Sequence, residues 1–193
     1  MSLAGVSPDR RAKAELDLLN QSFPGMTKSA TTNGTPYYPE HVDITITTTA
    51  GNRYVVRLVI PAAYPDTMPT MLVMNPKPLV DNDRKPLLGV SAKMHVLASI
   101  DGCTCLCHYA GDRWDASLSL HMVVMKGGIW LEAYEGHRRN GKPIDFWLSH
   151  KDPGGSTAAP SAQPQPTPSV LPRAMPSVKP TVATPASTQP LLQ

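Results

Sequence analysis

His41–Ile60 reads HVDITITTTAGNRYVVRLVI, and this stretch decides the fold class. Val42, Ile44 and Ile46 alternate with polar neighbours, the period-two pattern of a half-buried strand rich in β-branched residues. Ala50-Gly51-Asn52 is a turn signal, and Tyr54–Ile60 (YVVRLVI) is a second strand. Antiparallel pairing through that turn is the economical arrangement. Pro61 to Pro69 forms a loop, and Met71–Met74 (MLVM) is a third short strand. Pro76, Pro78 and Asp81–Asp83 then break the chain.

Towards the N-terminus, Ser7 and Asp9 are helix-cap residues. Ala14, Leu16, Leu18, Leu19 and Phe23 supply the apolar positions of that helix, and Pro24-Gly25 stops it. Arg10, Arg11 and Lys13 are expected on or near its solvent side. Towards the C-terminus, Leu87 to Arg113 shows little regular pattern, and a loop of that length in a folded domain is usually functional. Asp115 is expected to cap a second helix built on Leu118, Leu120, Val123, Val124 and Met125, extended by Ile129, Trp130 and Tyr134. Gly127-Gly128 is a place for a kink. Phe146 and Trp147 are expected to dock back on the core. The order is helix, strands, long loop, helix: an α+β fold with helices on one antiparallel meander.

Composition divides the chain. From Pro153 to Gln193 there are ten prolines, no aromatic residue and two charges, Arg173 and Lys179. Such a segment buries too little apolar surface to offset its ordering entropy, so residues 151–193 are expected to form a disordered Pro/Ala/Ser/Thr-rich tail. Residues 1–150 hold all three tryptophans and both phenylalanines, enough for one core. The net charge of +3 is too small to argue for nucleic acid. No apolar run approaches the length of a membrane span. The first residues, MSLAGVSPDRRAK, lack the apolar core of a signal peptide. Three cysteines packed within five residues are not a disulfide framework, and a reduced, cytoplasmic protein is the expectation.

The irregular stretch carries the chemistry: His95-Val-Leu-Ala-Ser-Ile-Asp-Gly-Cys-Thr-Cys-Leu-Cys-His108. Three thiols with His95 or His108 supply four zinc-type ligands, but there is no second cysteine pair elsewhere to complete the usual spacing. Free cysteines also pack as small buried hydrophobes, and adjacent thiols can act as redox partners. A single nucleophilic thiol is the third reading. The cluster alone does not choose among them.

Its neighbourhood resembles the ubiquitin-conjugating enzyme family over roughly residues 9 to 135. Arg11-Ala-Lys13-Ala-Glu15-Leu16 resembles the family's R-x-x-K-E-L-type opening helix. Tyr54–Ile60 with Pro61-Ala-Ala-Tyr64-Pro65-Asp-Thr-Met-Pro69 resembles its strand followed by F-P-x-x-Y-P-x-x-P-P. His95 stands ten residues before Cys105, as the H-P-N histidine precedes the active cysteine. Asp101-Gly102-Cys103-Thr104-Cys105-Leu106 resembles N-G-x-I-C-L, and Trp114-Asp115-Ala116-Ser117-Leu118 resembles W-S-P-A-L.

The resemblance implies a ubiquitin-conjugating-enzyme-like fold: an antiparallel β-meander flanked by an N-terminal helix and a central helix, with shortened C-terminal helices. It implies that Cys105 takes a ubiquitin-like protein as a thioester from an activating enzyme and passes it to an amine of a protein substrate. No metal, cofactor, nucleic acid or membrane is implied. His95 would organise the loop, and His108 would be a proton-transfer group. Arg10, Arg11 and Lys13 would meet the activating enzyme. The departures point to a divergent, bacterial-type member: Leu97 replaces the H-P-N asparagine, and Asp66 replaces the aromatic residue after Tyr64-Pro65. Two other readings stay open. One is a catalytically inactive module that binds ubiquitin-like or activating proteins; the other is a small zinc-binding interaction domain.

Overall fold

Alternation of side chains along His41–Thr47 and Arg53–Val59 sends every second residue to one face, and those residues are the ones that bury: Val42, Ile44, Ile46, Tyr54, Val56 and Leu58. The computed structural model describes residues 6–148. The expected tail, 151–193, lies outside the described residues. In chain order the elements are α1 (Pro8–Ser22), β1 (Thr27–Lys28), β2 (His41–Thr47), β3 (Arg53–Val59), β4 (Thr70–Asn75), β5 (Val96–Ile100), β6 (Cys103–Leu106), α2 (Leu120–Asn140) and α3 (Ile144–Trp147). The strands form one six-stranded antiparallel sheet in the order β1-β2-β3-β4-β6-β5.

The fold is mixed α+β with an antiparallel sheet, as the sequence pattern predicts. The main core gathers Leu19 of α1, Met71 and Val73 of β4, Leu106 of β6, and Val123, Val124, Trp130, Leu131 and Tyr134 of α2. Polar tethers join α2 to the first hairpin. Glu132 accepts from the Thr49 amide and hydroxyl, and Glu135 accepts from the Tyr54 hydroxyl and the Asn52 amide. Among the described residues no helix is long and apolar enough to cross a membrane.

Four expectations need correction. The stretch from Leu87 to Arg113 is not irregular throughout, because Val96–Ile100 and Cys103–Leu106 pair as a hairpin. Its two-residue turn is Asp101-Gly102, both at positive φ (50° and 70°), which is the backbone twist a tight hairpin requires. Asp115 does not cap the second helix: it accepts from the Ser117 amide in the preceding loop, and Ser119 is the cap, accepting from the Met122 amide. Gly127 does not break α2 but seats it, since a Cβ there would collide with the Met71 thioether. Phe146 remains exposed, Trp147 lays its ring against Gly136 of α2 while staying partly exposed, and Ile144 is the residue of α3 that enters the core.

Candidate active site

The position of β6, between β4 and the edge strand β5, fixes where its thiols go. Cys105 pairs with Leu72 of β4 on one side and Leu97 of β5 on the other. Cys103 and Cys105 share a small apolar cluster with Leu72, flanked by Val59 and Met74 and separate from the main core. Cys103 Sγ lies 3.7 Å from Met74 Sδ. Cys105 is 2% exposed. Burial, with the neighbouring Cys107 thiol adding to it, pushes the Cys105 thiol up to about 11. At pH 7.5 that leaves about one thiolate in three thousand, against about one in thirty for a thiol at 9.

The loop before the hairpin is clamped from below. His95 sits at φ 48°, and the Trp130 indole N–H is shared between the carbonyls of Met94 and His95 at 3.1 and 3.0 Å. His95 Nε2 meets Asp145 Oδ1 of α3 at 3.0 Å. The Cys107 amide donates to the His95 carbonyl at 2.9 Å, so the thiol just beyond β6 is carried beside the clamped loop. Trp130→Phe keeps an aromatic ring in the core, though a smaller one, and takes the indole donor from the Met94 carbonyl, while the His95 carbonyl keeps the Cys107 amide. It is expected to cost about 1–3 kcal/mol in urea unfolding, with the m-value unchanged.

His108 follows. A carbonyl can only accept, so the 2.9 Å contact with Pro69 O places the proton on Nε2 and leaves Nδ1 as an acceptor. That Nδ1 is buried and has no hydrogen-bond partner among the described residues. Burial lowers the His108 pKa below its ordinary 6.5, with the Pro69 contact working against that shift. The unfolded chain therefore takes up the proton more readily than the folded one. Stability from this group is complete above about pH 6.5 and is lost as the pH falls through the folded value. Urea midpoints at pH 7.5 and 5.5 are expected to differ less for His108→Gln than for the wild type.

The three expected partner-binding bases separate. Arg10 and Lys13 are exposed, Lys13 pairing with Asp17. Arg11 is not on the solvent side. It is 7% exposed, pairs with Glu15 at 3.1 Å and donates to the carbonyls of Ala116 and Leu118. Its guanidinium is committed to holding the loop before α2.

His95, Cys107 and His108 together line two clefts of about 250 and 360 Å³. Cys105 is not among the residues lining either. Trp130 and Asp145 escaped the sequence reading. The periodicity marked Trp130 only as core, and nothing in the sequence ties Asp145 to a histidine fifty residues away. No cluster of three or more His, Cys, Asp or Glu among the described residues is arranged to hold a metal ion. No protein-family model matches the chain, and no curated protein matches it by sequence.

Proposed function

We propose that the domain is a ubiquitin-conjugating-type transferase that accepts a ubiquitin-like protein as a thioester on Cys105 and passes it to an amine of a protein substrate. One observation carries the reading. The hairpin sets Cys105 directly across from Leu97, two residues past His95, in a strand that leads through Trp114 into the long helix α2. Trp114 ties that loop to the segment after β3, its indole N–H donating to Pro65 O at 2.9 Å. Thioester exchange is close to thermoneutral, so such a protein works mainly by positioning and by stabilising a transient oxyanion. Arg10 and Lys13 remain as exposed bases of α1 for an activating enzyme.

A second reading has its own support. The enclosure of Cys105 and the high proton affinity of its thiol favour a catalytically inactive module that binds the same partners. The test is incubation of the full chain with an activating enzyme, ATP and a ubiquitin-like protein taken from neighbouring genes. A dithiothreitol-sensitive adduct supports the transferase. Stable association without an adduct supports the binding module.

A further inference from the structure

Near the end of α2, the contacts of His137 fix where its proton sits. Its Nδ1 lies 2.8 Å from the Lys142 carbonyl, which can only accept. Its Nε2 lies 3.1 Å from the Asn82 amide, which can only donate. The bound form is therefore the neutral ring, protonated on Nδ1 and accepting on Nε2. The ring is 6% exposed. The same end of α2 holds the turn at residues 81–85 at two more points. The Tyr134 hydroxyl donates to the Val80 carbonyl at 2.9 Å, and the Arg138 guanidinium donates to the Asp81 carbonyl. Of the three ties, only one runs through an imidazole, the side chain that changes charge between about pH 5 and 8.

That turn backs the strand that carries the thiols. It springs from Leu79, whose amide donates to Thr104 Oγ1 at 3.1 Å in the middle of β6. It returns at Leu87, whose amide donates to the Leu79 carbonyl at 2.8 Å. We infer that His137 is a pH-sensitive clasp: the neutral ring fastens the 81–85 turn to α2, and the protonated ring releases it. A second proton, on Nε2, would aim a donor at the Asn82 amide, itself a donor, inside a buried contact. Among the described residues no carboxylate contacts the ring to accept from that proton. In the turn, Asp81 accepts from the Lys85 amide, Asp83 pairs with Lys85, and Arg84 adds positive charge. On α2, Glu135 is taken by Tyr54 and Asn52, while Arg138 and Arg139 are like charges beside the ring. Beyond α2, Lys142 lies over the Phe146 ring and Asp145 meets His95. The end of a helix favours a cation, but the His137 carbonyl already accepts from the Gly141 amide.

Amide hydrogen exchange of the full chain, read by NMR and corrected for the intrinsic rate at each pH, tests the clasp. Protection of the Asn82 amide is expected to fall about tenfold or more as the pH goes from 7.5 to 5.5, the size expected for losing one buried hydrogen bond. The Gly141 amide donates to a carbonyl that does not titrate, so its protection should change by less than about threefold. In His137→Gln the side-chain oxygen can accept from Asn82 at either pH, and the fall should shrink to less than about threefold. Level protection at Asn82 in the wild type overturns the inference. So does a fall that Gly141 shares in full, which marks a general loosening of the helix end, and so does a His137→Gln variant with the wild-type pH dependence. The comparison of the two amides in the wild type decides the matter even if the variant fails to fold. No thiol takes part in the measurement, so its outcome is separate from that of the transferase reading.

Discussion

Cys105→Ala is expected to abolish the dithiothreitol-sensitive adduct with the ubiquitin-like protein, while Cys103→Ala and Cys107→Ala retain it. The three thiols are close in sequence and far apart in circumstance. Cys103 is next to the turn and packs on Met74, Cys107 has left the sheet, and only Cys105 faces Leu97 in the pairing. Alanine at 105 leaves no nucleophile at that position, so the loss should be complete rather than graded. Adduct on gels run with and without reductant measures it directly. An adduct that survives Cys105→Ala and disappears with Cys107→Ala would move the carrier role to Cys107. The pairing also predicts a gain. Leu97 is 37% exposed on an edge strand, where a polar side chain is tolerated. Leu97→Asn would put an amide donor across from the thioester, and a well-placed oxyanion donor is worth about a hundredfold or more in rate. About a tenfold gain in discharge to free lysine is expected from a donor that nothing else pre-organises.

Glu15→Ala is expected to cost about 3–5 kcal/mol, a large share of the stability of an ordinary domain. Glu15 is 2% exposed and accepts from the hydroxyls of Tyr38 and Tyr64 at 3.1 and 2.9 Å, beside the Arg11 guanidinium. Burial raises its carboxyl above the ordinary glutamate range, and the tyrosine hydroxyls and Arg11 offset part of that. Its removal takes the counter-charge from the buried Arg11 guanidinium and the acceptor from the Tyr38 hydroxyl, and leaves the Tyr64 hydroxyl only a long contact to Leu118 O. Glu15→Gln keeps an acceptor for the tyrosines and should cost clearly less. Urea unfolding followed by tryptophan fluorescence measures both. If Glu15→Ala unfolds within 1 kcal/mol of the wild type, the network holds α1 to the sheet less firmly than its geometry implies.

That network also shows why some features were legible in the sequence and others were not. The first hairpin could be read because one face of it is wet: Val42, Ile44 and Ile46 are buried while Thr45 and Thr47 are exposed, so alternation survives in the residue types. β6 has no such alternation. Cys103, Thr104, Cys105 and Leu106 are all buried, because the strand is covered on both faces and flanked by β4 and β5. Only Asp101-Gly102 announced the second hairpin, and that pair reads equally well as part of a motif in a loop. Arg11 was misplaced because a helical wheel knows nothing of carbonyls more than a hundred residues away. The carbonyls of Ala116 and Leu118 have no side-chain signature at all. Cys105 was placed by register alone, and register says nothing about depth.

That depth has a kinetic meaning. Cys105 lies between two paired strands, one of them the last strand of the sheet. Its side chain is covered by Leu72, Val59 and Met74 of β3 and β4. A reagent reaches the sulfur only in the fraction of molecules in which that cover has moved aside, and the observed rate is the intrinsic rate multiplied by that fraction.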